Sequence, residues 1–95
     1  MNFGQALEAL KEGKKVARES WNGKGMFIYH VEGSDVSPAD LRGAAQKHVG
    51  FTKKSIADKV KINGHIDMKA ADGSIVVGWL ASQTDMLAED WTVVE

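Results

Sequence analysis

Trp21, Trp79 and Trp91 are the residues here with the most chemistry to offer beyond simple packing. In so short a chain a large aromatic side chain serves either as core mass or as a stacking surface for a flat ligand. Position separates the three. Trp91 opens an apolar C-terminal run and reads as core. Trp21 leads into Asn22-Gly23-Lys24-Gly25, and Trp79 precedes the polar run Ser82-Gln83-Thr84-Asp85. Both stand where the rim of a pocket would be, and by pattern alone core burial fits them as well as ligand contact does.

The other chemically able residues have simpler explanations. His30, His48 and His65 form no zinc-type spacing, and His65 with Asp67 is the one close pair of ligand type. Any alternating strand puts two such residues on one side, so a structural role is the plainer reading. A Ser-His-Asp set can be assembled from Ser82, His65 and Asp85, but no nucleophile-elbow glycines surround the serine, and helix capping accounts for it. Asp67 and Asp85 could be drawn as a hydrolytic carboxylate pair on types alone. Gly23-Lys24-Gly25 could bring backbone N–H groups and an ammonium to a phosphate, although a glycine turn between strands is the cheaper explanation. These residues together point to a protein that is not an enzyme: no catalytic residues, no metal and no cofactor are expected.

The bulk composition sets limits on partners. Ninety-five residues with 43% hydrophobic content can close one modest core, so residues 1–95 are expected to form a single domain. There are no cysteines for disulfides, which leaves oligomerisation as the obvious extra source of stability. A formal charge of -1 supplies no broad attraction for a nucleic-acid polymer or an anionic membrane, while two or three local donors could still hold one small anion. Charged residues at Glu8, Lys11 and Glu12 interrupt the N-terminal apolar pattern, so the reading is a soluble, unprocessed, cytoplasmic protein.

The elements that must hold these residues follow from spacing. Asn2 and Gln5 stand at capping-box distance before a stripe of Phe3, Ala6, Leu7 and Leu10, which predicts a helix ended by Gly13. Lys15–Arg18 predicts a brief strand. Met26–Val31 is apolar without alternation, as expected of a central strand covered on both faces. Ser37-Pro38-Ala39-Asp40 predicts the start of a second helix running to Gly50, with Leu41, Ala44, Ala45 and His48 along one side. Asp72-Gly73 works as a two-residue hairpin loop, opposing Ala70 to Ile75, Met68 to Val77 and Ile66 to Trp79. Asn63-Gly64 fails that test and predicts a longer loop or bulge. Ser82–Asp85 predicts a turn or two of helix, and Trp91–Val94 a last strand. The layout is α+β: a small antiparallel sheet with an N-terminal helix and a second short helix on one face.

Three blocks, Met1–Arg18, Trp21–Tyr29 and Trp79–Trp91, together with His65–Lys69 and its Ala71-Asp72-Gly73 turn, resemble the Thoeris anti-defence two family of phage proteins. The chain departs from that pattern between Tyr29 and His65, and in having Gly78 before the tryptophan. The resemblance implies a sponge that binds glycocyclic ADP-ribose signals made by bacterial TIR-domain enzymes and holds them unmodified. It also implies homotetramers with pockets where subunits meet and, in some relatives, uptake of cyclic dinucleotides at a different site.

Carried to this chain, the resemblance makes Trp21 and Trp79 aromatic walls, with Phe3 beside them, and Ser82, Gln83, Thr84 and Asp85 a polar lip reading ribose hydroxyls and base edges. Arg18 and Lys24 are the expected phosphate contacts, with Asn22 and Gly23 completing the loop; these rest on charge and location more than on the match. The competing reading is a protein-interaction module that inhibits a host protein directly through the second helix and the lysine-rich segment after it.

Overall fold

Asn2 begins the first helix in the way its spacing requires. The Gln5 N–H donates to Asn2 Oδ1 at 2.8 Å, and the Asn2 N–H donates to Gln5 Oε1 at 2.9 Å. Such a cap contributes about 1 kcal/mol and fixes where α1 (Phe3–Lys11) starts. Gly13 follows with φ +90, a conformation that releases the chain into β1 (Lys15–Arg18).

The computed structural model describes residues 1–21, 24–50 and 59–95. They divide into two compact units, Met1–Val31 with His65–Glu95, and Glu32–Gly64. The fold class is α+β, with a mostly antiparallel arrangement of strands.

The first unit holds a five-stranded antiparallel sheet in the order β6-β5-β2-β1-β7, where β2 is Phe27–Val31, β5 His65–Lys69, β6 Ile75–Val76 and β7 Trp91–Val94. The strand expected to be central is central. It is not covered on both faces, however. Val16, Ile28 and Met68 stand opposite one another in register and share the face on which α1 lays Ala6, Ala9 and Leu10. Phe27, Lys69 and Ile75 share the other face, where Ile75 is 59% exposed and Phe27 stays partly exposed. The apolar run hid this, because Phe27 and Tyr29 are as hydrophobic as the buried Ile28 between them. Leu10, Val16, Ile28 and Trp91 are the largest fully buried side chains, each contributing about 1.5–3 kcal/mol on removal from water.

The hairpin after β5 differs from expectation by one residue. Met68 opposes Val76 and Lys69 opposes Ile75, so the loop has three residues, Ala71, Asp72 and Gly73. The Gly73 N–H donates to the Ala70 carbonyl at 3.0 Å and Gly73 takes φ +90, while Ser74 donates to Asp72 through both N–H and hydroxyl. A turn followed by a left-handed glycine is the preferred three-residue hairpin, and the side-chain bonds of Asp72 favour it over a two-residue turn. Further along, the Trp79 N–H donates to the Ile66 carbonyl at 2.6 Å, so the expected Ile66–Trp79 approach does occur. Reconciling it with the Met68–Val76 register needs one extra residue, taken up at Gly78 with φ +81.

The second unit pairs β3 (Ser34–Val36) with β4 (Val60–Ile62). Gly33 is required by close approach there: a side-chain carbon would lie 2.7 Å from the Ile62 carbonyl oxygen. The single helix expected from Ser37 is two pieces, a 3-10 turn at Pro38–Asp40 and α2 (Gly43–His48). Leu41 divides them in an extended conformation with only 6% of its surface exposed. Burying that leucine outweighs helix continuity in a segment whose remaining stripe is mostly alanine, and nothing on α2 is buried. Asn63-Gly64 leads from β4 into β5 and closes no two-residue hairpin. The core of the lysine-rich segment, residues 51–58, lies outside the described residues.

Candidate functional site

Trp91 is the centre around which most of the expected site residues gather. It is 2% exposed, reads as core in both sequence and structure, and holds three aromatic rings against itself. Trp21 packs edge-on to it at 5.4 Å between centroids, Trp79 edge-on at 6.1 Å, and Phe3 tilted at 5.6 Å. Trp21 and Trp79 also meet each other at 6.3 Å. Both are half-buried and pack against the core. Edge-to-face pairs of this kind add about 0.5–1.5 kcal/mol beyond area burial.

The polar run joins the same cluster through its own cap. Ser82 caps α3 (Gln83–Leu87): the Asp85 N–H donates to Ser82 Oγ at 3.0 Å, and the Ser82 N–H donates to Asp85 Oδ2 at 3.1 Å. Trp91 Nε1 donates to the Asp85 carbonyl at 3.0 Å, tying α3 to the indole centre. Gln83 and Thr84 are exposed on the first turn.

Arg18 lies between two carboxylates. Its Nε donates to Asp90 at 2.8 Å and its Nη1 to Asp85 at 3.0 Å, with only 14% of the side chain exposed. The hydrogen bonds with Asp90 and then Asp85 raise the guanidinium above its ordinary value. The bond from Arg18, helped by Ser20, holds the Asp90 carboxyl down at about 2. Burial works to raise Asp85, but the bonds from Arg18 and Ser82 outweigh it and leave that carboxyl lowered as well. Arg18 thus forms a fork that fixes Asp85 and Asp90.

Lys24 is exposed in the turn before β2, and the adjacent Gly25 carbonyl accepts from Lys69 Nζ at 3.1 Å. This directs the turn toward the open sheet face. Asn22 and Gly23 lie outside the described residues. The structure therefore brings Phe3, Arg18, Trp21, Trp79, Ser82 and Asp85 into one connected assembly, while Lys24 is exposed on the turn before β2.

The residues considered for catalysis are engaged in other ways. Ser82 and Asp85 cap α3, and His65 Nε2 lies 3.3 Å from Asp67 Oδ1. Among the described residues no group of three His, Cys, Asp or Glu side chains is placed to hold a metal ion, and no helix is long and apolar enough to cross a membrane.

Sequence reasoning missed a concave surface, of about 630 Å³, on the open face of the sheet. Phe27, Tyr29 and Ile75 floor it, and Lys14, Lys15 and Lys69 stand around it. Lys15 Nζ lies 4.7 Å and Lys69 Nζ 5.4 Å from the centre of the Phe27 ring. Ammonium groups over an aromatic platform can take an anion bearing a flat ring. The signal was present in the alternation of Phe27 and Tyr29 about Ile28, but the run reads as uniformly apolar.

Comparison with known proteins identifies the family. A family model described as the Thoeris anti-defense 2-like domain matches residues 1–94. The protein named Thoeris anti-defense 2 of Bacillus phage SP01 is 40% identical over 94 residues, which cover 99% of this chain and 94% of that relative.

Proposed function

Since this chain belongs to the Thoeris anti-defense 2-like family, whose role is phage anti-defence against Thoeris, we propose that it works as a sponge. It binds glycocyclic ADP-ribose signals of the TIR pathway in the host cytosol, sequesters them and returns them chemically unchanged. The observation that supports this most directly is the gathering of Trp21, Trp79 and Phe3 about Trp91, with the α3 lip fastened to the same centre. Preformed aromatic walls bind a flat ring without an ordering penalty, and retention without turnover needs no activated nucleophile. Asp85, oriented by Arg18 and Ser82, accepts from ribose hydroxyls, and Gln83 and Thr84 read the base edge.

The working form is a homotetramer whose pockets are completed where subunits meet. Val77 is 71%, Leu80 89% and Leu87 80% exposed, apolar area of the kind that a subunit contact covers. The open sheet face, with its lysines and Phe27, favours a second site for cyclic dinucleotides, which carry two flat bases and two anionic phosphates.

Incubating the purified protein with a panel of cyclic nucleotide signals, followed by gel filtration and native mass spectrometry, tests the sponge. The expected result is a glycocyclic ADP-ribose that stays bound and is released intact by heating. Release of a cleaved product would identify a phosphodiesterase instead. Retention of no small molecule, with binding to a host protein, would identify an interaction module.

A further inference from the structure

We propose that Asp67 is a positioning residue that decides on which face of the sheet the Trp79 indole stands, acting through the Gly78 bulge; this rests on the reading of Trp79 as a ligand wall. Asp67 lies in the middle of β5 with 6% of its surface exposed, the buried charged side chain among the described residues. A carboxylate in such a place needs partners to offset its desolvation. It has them in the Gly78 N–H, which donates to Oδ1 at 2.9 Å, and in His65 Nε2 at 3.3 Å from the same oxygen.

Register explains what this bond accomplishes. Continued from Met68–Val76 without interruption, the pairing would set Gly78 against Ile66 and Trp79 against His65, on the sheet face away from α1. The observed bond from the Trp79 N–H to the Ile66 carbonyl instead places Trp79 with Ile66, which packs against the α1 core. A one-residue slip moves a side chain to the other face of a sheet. The extra residue that prevents the slip leaves the Gly78 amide without a ladder acceptor, as bulges do, and the Asp67 carboxylate is the acceptor it finds. Without that carboxylate the amide is left unsatisfied in a partly buried place, and the regular register, with the indole turned away from Trp21 and Trp91, becomes competitive.

Fluorotryptophan labelling of the full chain gives three fluorine resonances, assignable with single Trp→Phe variants. Asp67→Ala is expected to shift the Trp79 resonance while that of Trp91 stays in place. Asp67→Asn keeps an oxygen acceptor for Gly78 and is expected to restore it. Affinity for glycocyclic ADP-ribose should fall about tenfold or more in Asp67→Ala and recover in Asp67→Asn. In the unmodified protein, hydrogen exchange at the Gly78 amide should be slower than at its neighbour Val77, a measurement that needs no variant to fold. An unmoved Trp79 resonance in Asp67→Ala, equal displacement by Asp67→Asn, or a Gly78 amide exchanging as fast as that of Val77 would each overturn the assignment. Failure of the unmodified protein to bind glycocyclic ADP-ribose would refute the sponge and leave the fluorine and exchange results to judge Asp67 independently.

Discussion

Arg18 and Asp90 meet at 2.8 Å, Nε to Oδ1, across the paired ends of β1 and β7, and the other arm of the same guanidinium reaches Asp85 on α3. One planar fork thus fixes two carboxylates that belong to different elements. Arg18→Ala should lower the melting temperature clearly more than Lys11→Ala, whose pair with Glu8 is exposed on both sides. Arg18→Lys should recover only part of the loss, because an ammonium cannot serve both directions with fixed geometry. Thermal melts of the three variants followed by circular dichroism check the ranking.

Acid should open this fork only below the ordinary carboxylate value. Asp90 is held at about 2 against an ordinary 3.8, and Asp85 is also lowered. A carboxyl depressed on folding adds stability that is complete above its unfolded value and disappears as the pH falls through its folded value. Melting temperature should therefore hold down to the ordinary carboxylate value and then drop as the pH approaches about 2. Asp90→Asn should start lower at neutral pH and show a flatter decline through that window.

Trp79 and Trp91 should respond differently to truncation. Trp79→Ala should retain the fold and lose about 1–3 kcal/mol of affinity for a glycocyclic ADP-ribose, the worth of one stacked base, by calorimetry. Trp91→Ala removes the ring on which Phe3, Trp21 and Trp79 all pack and should cost about 3–5 kcal/mol of stability. Equal stability losses with no change in affinity would assign both indoles to packing alone.

Charge reversal on the open face separates the two proposed binding surfaces. Lys15→Glu with Lys69→Glu should abolish uptake of a cyclic dinucleotide and leave glycocyclic ADP-ribose affinity within about twofold of the parent, since distant sites without shared partners are nearly independent. Competition between the two ligands in the parent protein would contradict the separation.

Much of this arrangement could be read from the residues alone, for identifiable reasons. The start of α1 is legible because Asn2 and Gln5 satisfy each other locally, and the start of α3 because Ser82 and Asp85 do the same. Trp91 as core follows from its place in an apolar strand. Local rules fail where a distant contact decides. Ser37-Pro38 carries every mark of a helix start, yet burial of Leu41 stops the helix after one turn. The hairpin at Asp72-Gly73 is one residue longer than alternation predicts because the Asp72 bonds to Ser74 and the freedom of Gly73 favour a longer loop, a choice that hydrophobic alternation does not register. The Arg18 fork is not legible because neither acidic partner is near it in sequence.

Trp91 also governs when the molecule can come together. Its aromatic neighbours are Phe3 and Trp21 near the start of the chain and Trp79 in its last quarter, and the ring itself sits on β7, which follows all of them and must add to β1 at the far edge of the sheet. A ribosome that has delivered everything through α3 has produced a sheet lacking its border and its keystone. Closure therefore links distant parts of the chain late and is slow compared with helix formation, and until it happens the indoles of Trp21 and Trp79 lack the ring on which they pack.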